Sequence, residues 1–105
     1  MEMSSSIPLS WPALLLSVQR AVLFNIRPSF IGISVDLTDD NVLLMQVQLD
    51  NEPSEDDQDM CYAIAAEVCG DFVELRKSKV SFIPSNDILD SSQHLRCVVY
   101  ARAEY

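Results

Sequence analysis

The most regular pattern of apolar and polar positions in the chain lies between Ser54 and Phe72. Apolar residues recur there at spacings of three and four, the pattern of a helix with one buried face: Cys61, Ile64, Ala65, Val68 and Phe72. Ser54 is a natural N-cap, and Asp57, three residues later, can complete a capping box. We expect Gly70 to end the helix in the left-handed conformation. The pattern therefore predicts a helix from Ser54 to Cys69.

A second helical pattern occurs earlier, between Ser10 and Asn25. Ser10 is the expected cap, Pro12 fits the first turn, and another proline lies beyond the end. The apolar residues form one stripe at helical spacing: Trp11, Leu14, Leu15, Val18 and Val22. The segment is too short and too polar to span a membrane, so it is predicted to pack on a core.

Two segments that alternate with the period of two of half-buried strands follow the first helix. They cover residues 31–37 and 42–49, and turn-forming residues lie between them. Because the connection is short, the two strands must pair antiparallel as a hairpin. Gln46 and Gln48 lie on one face of the second strand, and we expect that face to be open to water.

Two further strands are predicted after the second helix, over residues 74–82 and 94–103. The first of them contains three basic residues, which makes it unusually polar. Residues 84–93 are rich in turn-forming residues and are predicted to form a loop. Within it, Ile88 and Leu89 are expected to pack back against the core. The last strand is expected to extend the polar face of the sheet with Arg96, Tyr100 and Arg102.

The predicted order is helix, strand, strand, helix, strand, strand. Two hairpins and two helices in this order are typical of an α+β domain, with a four-stranded antiparallel sheet and two helices packed on one face. The chain has 105 residues, enough for one domain over residues 1–105. We expect residues 1–8 to form a flexible N-terminus.

Charge is distributed very unevenly along this chain. Seven basic and sixteen acidic residues give a net charge of −9, yet residues 36–74 contain twelve acids and no lysine or arginine. Such a block attracts basic partners and repels nucleic acid and anionic membranes, neither of which is expected as a partner. Six carboxylates at the start of the second helix are the candidate partner-binding residues: Asp50, Glu52, Glu55, Asp56, Asp57 and Asp59. The alternative is that they form only a solvated helix end.

The sequence favours no catalytic, cofactor or metal site. His94 is the only histidine, and no nucleophile or phosphate-binding motif is present. The three cysteines lack zinc spacing and fit small buried residues of a reducing cytoplasm: Cys61, Cys69 and Cys97. The acidic run lacks the spacing and the turn glycine of a calcium-binding loop. Because the N-terminus lacks the basic region of a secretory signal, we expect a cytoplasmic protein. Because no catalytic motif is present, we expect no enzymatic activity.

Three short motifs carry a resemblance to a known family: Glu52-Pro53-Ser54-Glu55-x-Asp57, Ala66-Glu67-Val68 and Asp71-Phe72. They resemble small bacterial immunity proteins of polymorphic toxin systems, such as contact-dependent growth inhibition. The resemblance covers residues 10–102, although only this central stretch matches motif by motif. It implies a cytoplasmic protein that binds and neutralises a cognate toxin domain stoichiometrically. Such proteins often block basic nuclease domains, and the acidic block suits that target.

A small acidic secretion chaperone that holds a basic effector segment is the alternative. Such chaperones are usually dimers, whereas we expect an immunity protein of this type to be a monomer when free. The mass of the free protein in solution distinguishes the two hypotheses.

Overall fold

A computed structural model describes residues 8–85 and 95–102 of the chain. Six elements occur in the predicted order: α1 (Trp11–Leu23), β1 (Phe30–Leu37), β2 (Val42–Leu49), α2 (Glu55–Asp71), β3 (Lys77–Pro84) and β4 (Cys97–Ala101). The first four elements begin and end close to their predicted bounds, whereas β3 and β4 each begin three residues later than predicted. Residues 1–7 of the expected flexible terminus, His94, and the expected contacts of Ile88 and Leu89 lie outside the described residues.

The start of α2 is fixed by a complete capping box. The Ser54 hydroxyl accepts a hydrogen bond from the Asp57 N–H, and the Asp57 carboxylate accepts one from the Ser54 N–H, both at 3.1 Å. The predicted end of the helix is wrong, because Gly70 lies inside α2 and does not adopt the left-handed conformation. The turn is made instead by extended backbone at Phe72, and the ring of Phe72 is buried in the core.

The four strands form one mixed sheet in the order β3-β2-β1-β4. Strand β1 pairs antiparallel with β2 and with β4, whereas β2 and β3 pair parallel. The prediction of an antiparallel sheet built from two hairpins is therefore wrong. The reason is that α2 carries the chain back to the beginning of β2, so β2, α2 and β3 form a crossover between parallel strands. Strands β3 and β4 lie at opposite edges and cannot form a hairpin.

Ser85, which follows β3, and Leu95, which precedes β4, are each hydrogen-bonded to a side chain on the outer face of the sheet. The Ser85 carbonyl accepts a hydrogen bond from Gln48 Nε2 at 2.6 Å, and the Leu95 N–H donates one to Ser34 Oγ at 3.1 Å. Gln48 and Ser34 lie on the face of the sheet away from the helices, and both are buried. The expectation that this whole face is open to water is therefore wrong at these two residues.

A bulge in β4 changes which of its side chains face the helices. Val98 pairs with Ser34, but Tyr100 pairs with Ile33, so one extra residue lies between them. This shift places Tyr100 on the helix-covered side of the sheet, beside the core residue Ile33. Its predicted position on the polar face is wrong, because one extra residue reverses the alternation of a strand. The same prediction is wrong for Arg96, whose guanidinium stacks 4.0 Å above the ring of Trp11.

The core lies between the two helices and one face of the sheet. Residues of α1, α2, β1 and β2 contribute to one continuous cluster, in which the largest fully buried side chains include Leu14, Ile33, Leu43, Met45, Ile64 and Val68. The apolar stripe predicted for α1 is confirmed for Leu14, Val18 and Val22. Both helices therefore pack on the same side of the sheet, as predicted.

Replacing Val68 by aspartate tests the assignment of the buried face of α2. Val68 has no exposed surface, so Val68→Asp places a charge without a partner in the core. We expect the free energy of unfolding to fall by more than about 3 kcal/mol, measured by urea denaturation. The control is Ala66→Asp, at an exposed position of the same helix, which should cost less than about 1 kcal/mol. Equal losses in the two variants would contradict the assigned helix face.

Candidate partner-binding site

The structure divides the six candidate carboxylates into two groups. Two of them form ion pairs with arginine side chains of the same chain, and the other four are exposed on the surface. The exposed group forms what we call the acidic surface: Glu52, Glu55, Asp56 and Asp59. The bonded residues, Asp50 and Asp57, lie beside the acidic surface and connect separate segments of the chain.

Asp57 is buried and connects two segments of the chain. Its Oδ1 atom lies 2.6 Å from Arg27 Nε and 2.9 Å from Ser29 Oγ, and its other oxygen caps the Ser54 N–H. The side chain of Asp57 is only 6% exposed, whereas that of Arg27 is 33% exposed. Asp57 is therefore a structural residue that fastens the connection between α1 and β1 to the first turn of α2.

The environment of Asp57 lowers its pKa. Burial by itself would raise that pKa, but the hydrogen bonds donated by Arg27, Ser54 and Ser29 favour the charged carboxylate more strongly. The result is a pKa lowered from 3.8 to about 2. In the opposite direction, the hydrogen bond to Asp57 raises the pKa of Arg27, although partial burial acts against that shift.

Asp50 makes a second, more exposed link. Its Oδ2 atom lies 3.1 Å from Arg102 Nη1, and each of the two side chains is 30% exposed. The same nitrogen of Arg102 donates a hydrogen bond to the Pro28 carbonyl at 2.9 Å. Arg102, which follows β4, thereby joins Asp50 at the end of β2 to Pro28 in the connection before β1.

The acidic surface keeps its charge available for a partner. Within residues 8–85 and 95–102, none of its four carboxylates forms an ion pair with a basic side chain. Glu55 and Asp56 occupy the first turn of α2, where the helix macrodipole stabilises negative charge. Because the capping box fixes that turn, these carboxylates are held by a rigid element and not by a loose tail.

Basic residues are concentrated at the opposite end of α2. Arg76, Lys77 and Lys79 line an open depression of 390 Å³, together with residues of β2 and of the hairpin turn. The 17 residues of α2 separate this depression from the acidic surface by about 25 Å. Asp40 also lines the depression, so its charge is mixed but more basic than that of the acidic surface.

Sequence reasoning did not identify a group of exposed apolar residues close to the acidic surface. Leu23, Phe24 and Ile26 lie at and just beyond the end of α1, and all three are exposed. The signal was available in the sequence, because large apolar residues at positions 23 and 24 fall outside the predicted core stripe of that helix.

The described residues offer little for other chemistry. Across residues 8–85 and 95–102, no group of three or more His, Cys, Asp or Glu side chains is arranged to hold a metal ion. Burial, with a smaller contribution from the charge of Asp57, raises the pKa of Cys61 to about 12, which leaves its thiol unreactive. No helix in the described ranges is both long and apolar enough to cross a bilayer.

Exposed apolar residues together with exposed charged groups are compatible with the apolar centre and polar rim of a protein–protein interface. Residues 12–104 match the family model described as the MafI2 immunity protein. The chain therefore belongs to the MafI2 immunity protein family, whose members are non-enzymatic immunity proteins that neutralise MafB-type toxins of polymorphic toxin systems. A comparison with curated proteins found no match.

Membership of this family confirms the resemblance to polymorphic toxin immunity proteins that the central motifs carry. It also confirms the prediction that the protein is not an enzyme. Of the two binding functions considered from the sequence, it favours the immunity protein over the secretion chaperone.

The pH dependence of stability tests the role of Asp57. A pKa lowered from 3.8 to about 2 makes the charged carboxylate stabilise the fold by about 2 kcal/mol. That stability is present above pH 4, is lost as the pH falls through about 2, and is absent once the carboxylate is protonated. Asp57→Asn should therefore be about 2 kcal/mol less stable than wild type at pH 7, and the difference should shrink between pH 4 and pH 2.

Urea denaturation at several pH values measures this difference, and Asp56→Asn is the matched control. Asp56 is the exposed neighbour of Asp57, so its substitution should change stability by less than about 0.5 kcal/mol at every pH. A gap between Asp57→Asn and wild type that stayed constant down to pH 2 would show that the loss comes from packing and not from charge.

Proposed function

We propose that this protein neutralises a MafB-type toxin whose C-terminal domain is a basic nuclease, by binding that domain in the cytoplasm at a fixed stoichiometry. The acidic surface attracts the toxin, and no group on the immunity protein takes part in a reaction. Family membership supports toxin neutralisation, and the charge of the exposed helix start supports a basic target.

The observation that carries the proposal is the exposure of Glu52, Glu55, Asp56 and Asp59, three of which lie on the capped first turns of α2. Carboxylates that already hold their positions meet lysine and arginine side chains with little loss of conformational entropy. A nuclease must present positive charge to the phosphates of its substrate. A dense, fixed group of carboxylates on an inhibitor is complementary to such a surface and speeds association with it.

Neutralising three of the exposed carboxylates tests electrostatic attraction. The variant Glu55→Gln, Asp56→Asn, Asp59→Asn leaves Ser54 and Asp57 intact, so the capping box is retained. We expect its association rate with the toxin domain to be at least about tenfold slower than that of wild type at low salt. The difference should shrink as salt rises, because exposed charges are screened over about 8 Å at physiological ionic strength.

A matched control separates the local effect from the effect of net charge. The variant Asp39→Asn, Asp40→Asn, Glu67→Gln removes three exposed carboxylates elsewhere on the protein and changes the total charge equally. Its association rate should stay within about threefold of wild type. Equal slowing in the two variants would contradict a specific role of the acidic surface. A slowing that persisted in high salt would indicate direct packing and not steering.

Titration of the toxin tests inhibition by binding alone. We expect protection to rise linearly with added immunity protein and to saturate at a fixed molar ratio, because an inhibitor that only binds cannot act twice. The variant His94→Ala should protect as well as wild type, measured as residual toxin activity in the same titration. Full protection with much less than one immunity protein per toxin molecule would contradict the proposal. Loss of protection in His94→Ala would also contradict it.

A further inference from the structure

Exposed apolar residues are concentrated at one place on this protein. Among the described residues, seven large apolar side chains are exposed, and three of these lie together where α1 ends. Leu23 is 69% exposed, Phe24 is 79% exposed and Ile26 is 36% exposed. We call these three residues the apolar patch. Single exposed apolar residues are common on protein surfaces, whereas a contiguous group marks a site of interaction.

An ion pair that follows the apolar patch in the chain links it to the acidic surface. Arg27 follows the patch directly in the chain, and its Nε atom lies 2.6 Å from Asp57 in the first turn of α2. From Phe24 to Arg27 the chain can extend by no more than about 10 Å. Glu55 and Asp56 precede Asp57 in the same helical turn. The ion pair between Arg27 and Asp57 therefore ties the end of the apolar patch to the helix turn that carries Glu55 and Asp56.

We infer that the apolar patch and the acidic surface form one contact surface for the toxin, with the ring of Phe24 buried near its centre. This inference rests on the proposed function and adds to it the face that binds. Protein interfaces commonly have an apolar centre surrounded by polar groups, and aromatic residues at the centre carry much of the affinity. The toxin surface that fits is an apolar depression bordered by lysine or arginine residues.

The local charge balance supports a basic partner. Arg27 is compensated by Asp57, and Asp50 is compensated by Arg102. Arg20 is exposed in the last turn of α1 and adds one positive charge near the patch. The four carboxylates of the acidic surface outnumber it, so the border of the patch remains strongly negative.

The same charges argue against a second copy of this chain as the occupant. A symmetric dimer formed through the apolar patch would gather two acidic surfaces, eight carboxylates in all, around one interface. The net charge of −9 on each copy opposes such an association. A partner with positive charge around an apolar depression avoids this repulsion and buries the patch.

Replacing Phe24 by serine tests the inference. The probe is an inactivated C-terminal domain of the cognate MafB-type toxin, bound to immobilised full-length immunity protein. We expect Phe24→Ser to raise the dissociation rate at least about tenfold and to leave the association rate within about threefold of wild type. Because the lost contact is apolar, the increase should persist at high salt, unlike the effect of removing carboxylates.

The matched control is Val73→Ser. Val73 is 80% exposed and lies beyond the far end of α2, about 25 Å from the acidic surface. Both substitutions replace an exposed apolar side chain, so both variants should melt within about 2 °C of wild type. Val73→Ser should dissociate from the toxin at the wild-type rate.

Three results would overturn the inference and leave the proposed function intact. The first is a wild-type dissociation rate for Phe24→Ser, and the second is equal weakening by Val73→Ser. The third is a free protein that is a dimer and becomes a monomer in Phe24→Ser without any change in toxin binding. Failure of the wild-type chain to bind the toxin at all would contradict the proposed function and, with it, this inference. Normal wild-type binding with no effect of Phe24→Ser would contradict this inference alone.

Discussion

One buried carboxylate determines how the parts of this protein fit together. Asp57 accepts hydrogen bonds from Arg27, Ser29 and the Ser54 N–H, which belong to the connection between α1 and β1 and to the cap of α2. The first turn of α2 therefore cannot move without the end of α1. The positions of the acidic surface and of the apolar patch both follow from this constraint. A residue that looked like one acid among six serves as the fixed point of the site.

The local features of the fold could be predicted from sequence because they depend on neighbouring residues. The cap at Ser54, the alternation of β2 and the spacing of Val68 each express an interaction within a few positions along the chain. The parallel pairing of β2 with β3 could not be predicted in this way. It depends on where α2 returns the chain, and the same strand patterns are compatible with pairing at either edge of the sheet. The bulge in β4 likewise reversed the assigned faces by a single residue.

The candidate site was predictable in the same partial sense. The acidic run predicted a charged surface, and the capping box distinguished Asp57 only as a helix cap. Its burial could not be predicted, because its partner Arg27 lies 30 residues earlier. Charge in this stretch serves two purposes. Buried charge holds elements together, and we propose that exposed charge meets a partner. Only the three-dimensional arrangement distinguishes these purposes, since both kinds of carboxylate occupy adjacent positions in the helix.

The lysines of β3 have a consequence for the behaviour of the protein at high concentration. Strand β3 is an edge of the sheet, so one side of its backbone offers hydrogen-bonding groups to any other extended chain. Lys77 and Lys79 place positive charge along that edge, and Pro84, at its end, has no N–H to donate. The β3 strand of a second molecule would therefore meet like charges and could not form a continuous series of hydrogen bonds along this edge. The basic residues that made β3 hard to recognise in the sequence thus discourage self-assembly through the sheet and help to keep the protein from aggregating.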